Sequence, residues 1–171
     1  VDPKNPSVVP TENLVSTVSY YLANAHVSPS VNENITRFFT QQWTETTYTS
    51  ETNYFFEQRN QNQYYWNNTY REVLGPLAKA KEFLQSEKEN STYSLADQAK
   101  IKANKKAILE ILSIYAWATL VDSFGDVPYS EALKSNSTDL NLQQKYDDAA
   151  TIYNDLVTRI AAVQSTIDTS L

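Results

Sequence analysis

The chain has 171 residues, 41% of them hydrophobic and 20% charged, with a formal net charge of −6. That length suits one domain burying about 70% of its unfolded surface, and the composition is that of a globular protein rather than a disordered one. The negative balance argues against a nucleic-acid binder, which needs clustered Lys and Arg, and no apolar run approaches the roughly 18 residues of a membrane span.

Two absences add to this. Without cysteine there is no disulfide framework, thiolate metal site or thiol nucleophile. Without methionine, even at position 1, the chain is expected to begin downstream of its natural start. The opening V-D-P-K-N-P-S-V-V-P has three prolines in ten residues and reads as an extended lead-in.

Helices are expected from there on. Thr11 is placed to cap a first helix with Leu14, Val15, Val18, Leu22 and Ala25 on one stripe. His26, near Ser28-Pro29, would close it as a cation favoured by the helix dipole. A second helix is expected from about Asn32 to Thr46, with Val31, Ile35, Phe38, Phe39 and Trp43 at helical spacing. The third, from about Gln63 to Ser86, carries Trp66, Tyr70, Val73, Leu74, Leu77 and Leu84, and Gly75-Pro76 predicts a kink or restart within it.

Ser94-Leu-Ala-Asp97 resembles a capping box and opens a fourth helix with Ile101, Ile108, Ile111, Leu112, Tyr115 and Ala118 on its stripe. Its basic segment, Lys100 to Lys106, reads as a solvated face. The last helix, from about Lys145 to Ile167, shows Tyr146, Ala149, Ala150, Tyr153, Val157 and Ile160 on one side. Ile152, Leu156 and Val163 lie on the other, which predicts a helix sandwiched between neighbours. No alternating strand pattern outlasts short stretches such as Asn53 to Glu57. The fold class expected is all-α, with antiparallel helix hairpins stacked in a tetratricopeptide-like array, in a single helical domain over 1–171.

The stretch D-S-F-G-D-V-P-Y holds Gly125, one of only two glycines. Glycine enters the left-handed region without a Cβ penalty, and Pro128 forbids further helix, so the stretch reads as a helix exit. Phe124, Val127 and Tyr129 are expected to pin it to the bundle. Asp122 and Asp126 are expected to accept backbone N–H bonds within the turn. Nothing nearby makes these aspartates a catalytic or metal-binding pair.

Other chemistries fail for want of residues. One histidine excludes a His-pair metal site, and glycines only at 75 and 125 exclude a phosphate loop. The excess is aromatic and amide: twelve tyrosines and three tryptophans, with the densest mixture between Gln41 and Tyr70. Flat rings beside amides suit stacking on pyranose sugars and bonding to their hydroxyls, although burial in the core is the commoner fate of any single ring. The loop from Thr46 to Asn62 lacks helical periodicity and is flanked by Trp43 and Trp66. Trp43, Tyr48, Asn53, Tyr54, Arg59 and Trp66 are the candidate ligand-binding residues.

Y-A-W-A-T-L-V-D-S-F-G-D-V-P-Y-S-E-A-L, followed by K-Y-D-D-A-A-T-I-Y-N-D-L (Lys145 to Leu156), resembles the SusD/RagB family. F-T-Q-Q-W-T-E-T-T-Y-T (Phe39 to Thr49) with Y-Y-W-N-N-T-Y-R-E-V-L (Tyr64 to Leu74) looks like its SusD-like branch, and D-P-K-N-P-S-V-V-P-T-E-N-L looks like its lead-in. The resemblance covers essentially the whole chain. It implies a Bacteroidetes outer-membrane lipoprotein, anchored at the cell surface by a lipid outside this chain. It also implies a glycan or, in some members, peptide ligand, and a SusC-like TonB-dependent transporter on which the protein forms a lid. Neither catalytic machinery nor a cofactor is implied, and family proteins are longer, so the chain looks like an N-terminal portion. In that family the four N-x-Thr sequons, at Asn34, Asn67, Asn90 and Asn136, would be silent. The alternative is a scaffold that docks the transporter or another partner without binding glycan itself.

Overall fold

The computed structural model describes residues 9–28, 36–55, 60–87, 92–134 and 143–170. The architecture is all-α, with six α-helices among these residues: α1 (Thr11–Val27), α2 (Thr36–Phe39), α3 (Gln61–Asn68), α4 (Gly75–Ser86), α5 (Leu95–Phe124) and α6 (Ala149–Gln164). A π-helical segment, Thr69–Leu74, joins α3 to α4. The only β pairing among the described residues is an isolated antiparallel bridge between Val127 and Asp147.

Pairings between helices give their order and direction. Along the α3–α4 run, Tyr70 meets Trp117, Lys81 meets Glu110 and Glu87 meets Lys105, so the run lies antiparallel to α5. Tyr153 meets Asp122 and Arg159 meets Glu110, which sets α6 antiparallel to α5 on its other side. α1 packs on the π segment and α4. A continuous core results, in which Val18 and Leu22 of α1 meet Val73, Leu74 and Leu77, then Leu109, Trp117 and Leu120 of α5, then Ile152 and Leu156 of α6. By length and mean hydropathy alone α5 could cross a membrane; here it is the central helix of the stack, carrying Glu110 between two cations.

Two helix starts, those of α5 and α6, carry side-chain caps. Ser94 caps α5: its hydroxyl oxygen accepts the Asp97 N–H at 3.1 Å and its O–H donates to the Asp97 carboxylate at 2.7 Å. Ser94→Ala is therefore expected to lower stability by about 1 kcal/mol, read from the urea midpoint. α6 begins at Ala149, later than expected, because Asp148 takes the cap position and accepts the Thr151 N–H. Thr11 is not the cap of α1. Pro10 occupies that position in extended conformation, and Thr11 is the first, buried, helical residue.

The second helix ends earlier than expected. Asn32, Val31 and Ile35 fall outside the described residues, and among the described residues helix covers Thr36–Phe39 and stops well before Thr46. Gln41 adopts φ of 56°, and the N–H groups of Gln42 and Trp43 both turn back to the Arg37 carbonyl, so Trp43 stands in a loop. The β-branched run of Thr44, Thr46, Thr47 and Thr49 does little to prolong a helix.

Gly75-Pro76 acts as an adjustment rather than a break. Pro76 has no N–H to give, and the turn before it widens so that the Gly75 N–H reaches the Tyr70 carbonyl. That carbonyl lies 3.3 Å from where a Cβ at position 75 would sit, which leaves little room for a side chain.

The buried faces of α5 and α6 differ from the expected ones. α5 buries Leu109, Ile114, Ala116, Trp117, Leu120 and Val121, whereas Ile108, Ile111 and Tyr115 are exposed. The helix is apolar around most of its circumference, so periodicity alone does not select the stripe that meets α4 and α6. α6 buries Ile152, Leu156 and Val163, while Tyr146, Tyr153, Val157 and Ile160 are exposed; among the described residues it is covered on one side and not sandwiched. The Lys100–Lys106 segment is more than a solvated face, since Lys105 bridges Glu12 and Glu87, and Lys100 pairs with Asp168.

D-S-F-G-D-V-P-Y is a helix exit fastened to α6. Gly125 has φ of 74° but ψ of −121°, outside the left-handed helical region expected for it, and its N–H closes α5 on the Val121 carbonyl at 2.8 Å. Val127 is fully buried, and Phe124 and Tyr129 pack on the core. The two aspartates act across the interface instead of within the turn. Asp122 accepts the Tyr153 hydroxyl, and Asp126 accepts the Ala149 N–H at the start of α6. The turn is held by Asp147, which accepts the N–H groups of Ser130 (2.7 Å) and Tyr129 (3.1 Å) together with the Ser130 hydroxyl. The Ser130 backbone bond is the main reason its carboxyl sits below the usual range. Tyr70 donates its hydroxyl to the Pro128 carbonyl at 2.7 Å, tying the same turn to the π segment.

Candidate functional site

The loop after α2 gathers exposed rings. Trp43, Tyr48, Tyr54 and Phe55 are 43%, 81%, 50% and 46% exposed, well above what core filler would show. The loop is folded on itself. The Glu45 N–H donates to the Thr52 hydroxyl, Phe55 N–H reaches the Ser50 carbonyl at 2.8 Å, and Glu51 is buried beneath. Tyr48 and Tyr54 both have φ near 60°, a region bulky residues seldom enter. Such strain collects where a side chain must be presented in a set direction. Trp43 has the Arg37 guanidinium 4.4 Å from its ring centre, which fixes the indole against α2.

Of the other expected residues, Asn53 lies in the same loop and its amide donates to the Thr49 hydroxyl. Arg59 lies outside the described residues. Trp66 is separate from this group. It is half-buried on α3, its ring packs against Tyr70 and Phe124 at 5.0 Å and Tyr146 at 6.2 Å, and it borders a shallow hollow with Pro128 and Leu133. Trp66 faces the core, and the loop presents Trp43, Tyr48 and Tyr54.

A cleft of about 630 Å³ opens beside the loop, between the end of α1, α2, the start of α3 and the second half of α5. Phe39 forms part of its wall, and its carbonyl accepts the Tyr54 hydroxyl at 3.2 Å, so loop and cleft share an edge. His26, Tyr65, Tyr115, Gln61 and Asn62 also line it, none of them expected as site residues from sequence. They come from three helices, so no local pattern could have grouped them. His26 stands 5.3 Å from the Tyr115 ring, and burial pushes its imidazole below the ordinary range. That burial works against the cation expected at the end of α1. No group of three or more His, Asp or Glu side chains placed to hold a metal occurs among the described residues.

The family model for SusD-like proteins, described as starch-binding and associating with the outer membrane, matches residues 3–171. The chain belongs to the SusD-like family. A search of curated proteins returned no match. SusD-like membership carries a glycan-binding role in association with the outer membrane, within a family of binding proteins. In this SusD-like chain the two segments that carried the resemblance, around Gly125 and around Asp147, are bonded to each other through the Val127–Asp147 bridge and the Tyr129 and Ser130 bonds. They hold the scaffold together, and the exposed rings of Trp43, Tyr48 and Tyr54 lie elsewhere.

Proposed function

We propose that the loop of Trp43, Tyr48, Asn53 and Tyr54 is a glycan-stacking platform on a cell-surface, lipid-anchored protein that serves as the lid of a SusC-like TonB-dependent transporter and performs no catalysis. The observation that carries this reading is the exposure of three rings on a loop whose backbone is held in an unfavourable conformation at Tyr48 and Tyr54. Arg59 belongs to the same loop by sequence and is proposed to bond ligand hydroxyls; Trp66, packed inward, is proposed to support α3 rather than to stack. Trp43→Ala is expected to weaken maltohexaose binding about fivefold by calorimetry, the worth of one stacking contact, with the melting temperature unchanged. Unaltered affinity would remove the platform.

A second reading, docking without glycan recognition, draws on the exposed apolar side chains of α5 and α6, among them Ile108, Tyr115 and Val157. Under that reading wild-type protein retrieves a barrel transporter from membranes yet binds no maltohexaose.

A further inference from the structure

We infer that Arg37 is the positioning residue of the loop platform: it holds the Trp43 indole from behind, so that a sugar stacks on one face of the ring only. The inference rests on the glycan-binding reading and adds to it the residue that sets how the platform is presented.

Arg37 grips Trp43 at two points. Its carbonyl accepts the N–H groups of Gln42 at 3.0 Å and Trp43 at 3.3 Å, behind a turn made by Gln41 at φ of 56°. Its guanidinium lies over the indole, 4.4 Å from the ring centre. The next residue, Phe38, is 2% exposed and anchors the short helix α2 in the interior. Tyr54 is tied to the same helix, since its hydroxyl donates to the Phe39 carbonyl at 3.2 Å. Two of the platform rings are therefore set by α2.

The two grips act on different parts of Trp43. The carbonyl bonds shape the turn and would survive loss of the Arg37 side chain, whereas the guanidinium acts on the ring alone. A cation over an aromatic face is attracted by the ring quadrupole, so the indole is held against α2 while still 43% exposed. The covered face is closed to a ligand, and stacking falls to the opposite one. A ring already held loses less rotamer freedom when a sugar docks. That preorganisation raises affinity without any contact between Arg37 and the ligand.

The test is calorimetry with maltohexaose on Arg37→Leu, Arg37→Lys, Trp43→Ala and the double variant Arg37→Leu with Trp43→Ala, with a melting curve for each. Arg37→Leu is expected to weaken binding about threefold at unchanged melting temperature, and Arg37→Lys to recover most of that loss by keeping a cation over the ring. In the Trp43→Ala background Arg37→Leu should cost nothing more, because the two residues act as one unit. An equal loss in that background would make Arg37 a ligand contact and overturn the positioning role, as would wild-type affinity in Arg37→Leu. A second readout needs no ligand. The Arg37 Nε–H NMR signal should lie upfield under the Trp43 ring current and return to its ordinary position in Trp43→Ala. Absence of that shift would overturn the pairing and leave the platform standing. If the wild-type protein binds no maltohexaose, the positioning role fails together with the glycan reading.

Discussion

Gly125→Val is expected to be among the most damaging single changes in the chain, at about 2–3 kcal/mol in urea denaturation. The cause is the backbone alone. Gly125 has φ of 74° and ψ of −121°, and a Cβ built there would meet nothing within 4 Å. Alanine should therefore account for most of the valine effect, with β-branching adding the remainder. If alanine were harmless and valine severe, crowding would be the explanation and the conformational account would fail. The damage should spread to α6, because the exit is where Asp126 meets the Ala149 N–H and Val127 pairs with Asp147.

Glu110→Gln is the second large effect. Glu110 stands between Lys81 at 2.5 Å and Arg159 at 2.6 Å, with all three side chains at most 30% exposed. Arg159 continues to the Tyr129 hydroxyl at 2.5 Å, and that phenol is pushed up to about 12, by burial first and then by the Asp155 carboxylate it faces. Removing the central charge leaves two half-buried cations facing each other. Breaking a fully buried pair costs about 3–5 kcal/mol, so about 2 kcal/mol is expected for this partly exposed one.

The pH dependence gives a second readout. Burial alone would raise the Glu110 carboxyl, but the bonds and charges of Arg159 and Lys81 outweigh it and hold the group below its ordinary value of 4.5. A depressed carboxylate contributes its stability fully above the unfolded value and loses it as pH falls through the folded one. The gap between wild type and Glu110→Gln should accordingly be full near pH 7 and shrink below about pH 4.5. A gap independent of pH would show that the carboxylate acts through shape and not charge.

Where function is concerned, the sequence was most legible in its short-range chemistry. Ser94 before Asp97, and Gly125 before Pro128, each specify a cap or an exit through the residues themselves, and the segment around Gly125 carried part of the family resemblance. Long apolar helices were less legible. Ile108, Ile111 and Tyr115 are as apolar as the buried Leu109, Trp117 and Leu120, so only the positions of α4 and α6 decide which stripe goes inside. Trp43 continued a helical spacing from Phe39, yet Gln41 turns the chain before it and converts a core position into an exposed ring. Trp66, similar in sequence setting, is enclosed by Tyr70, Phe124 and Tyr146 from three different segments. The cleft escaped notice for the same reason, since its walls are contributed by α1, α2, α3 and α5 and meet only in the folded chain.

The central claim is that glycan recognition resides in the exposed loop rings while the Gly125 segment is scaffold. Calorimetry with maltohexaose on Trp43→Ala and Gly125→Val, with a melting curve for each, tests it most directly. The account predicts weakened binding at unchanged melting temperature for Trp43→Ala, and unchanged affinity of the folded fraction at lowered melting temperature for Gly125→Val. Wild-type affinity in Trp43→Ala, joined to loss of binding without loss of stability in Gly125→Val, would contradict it.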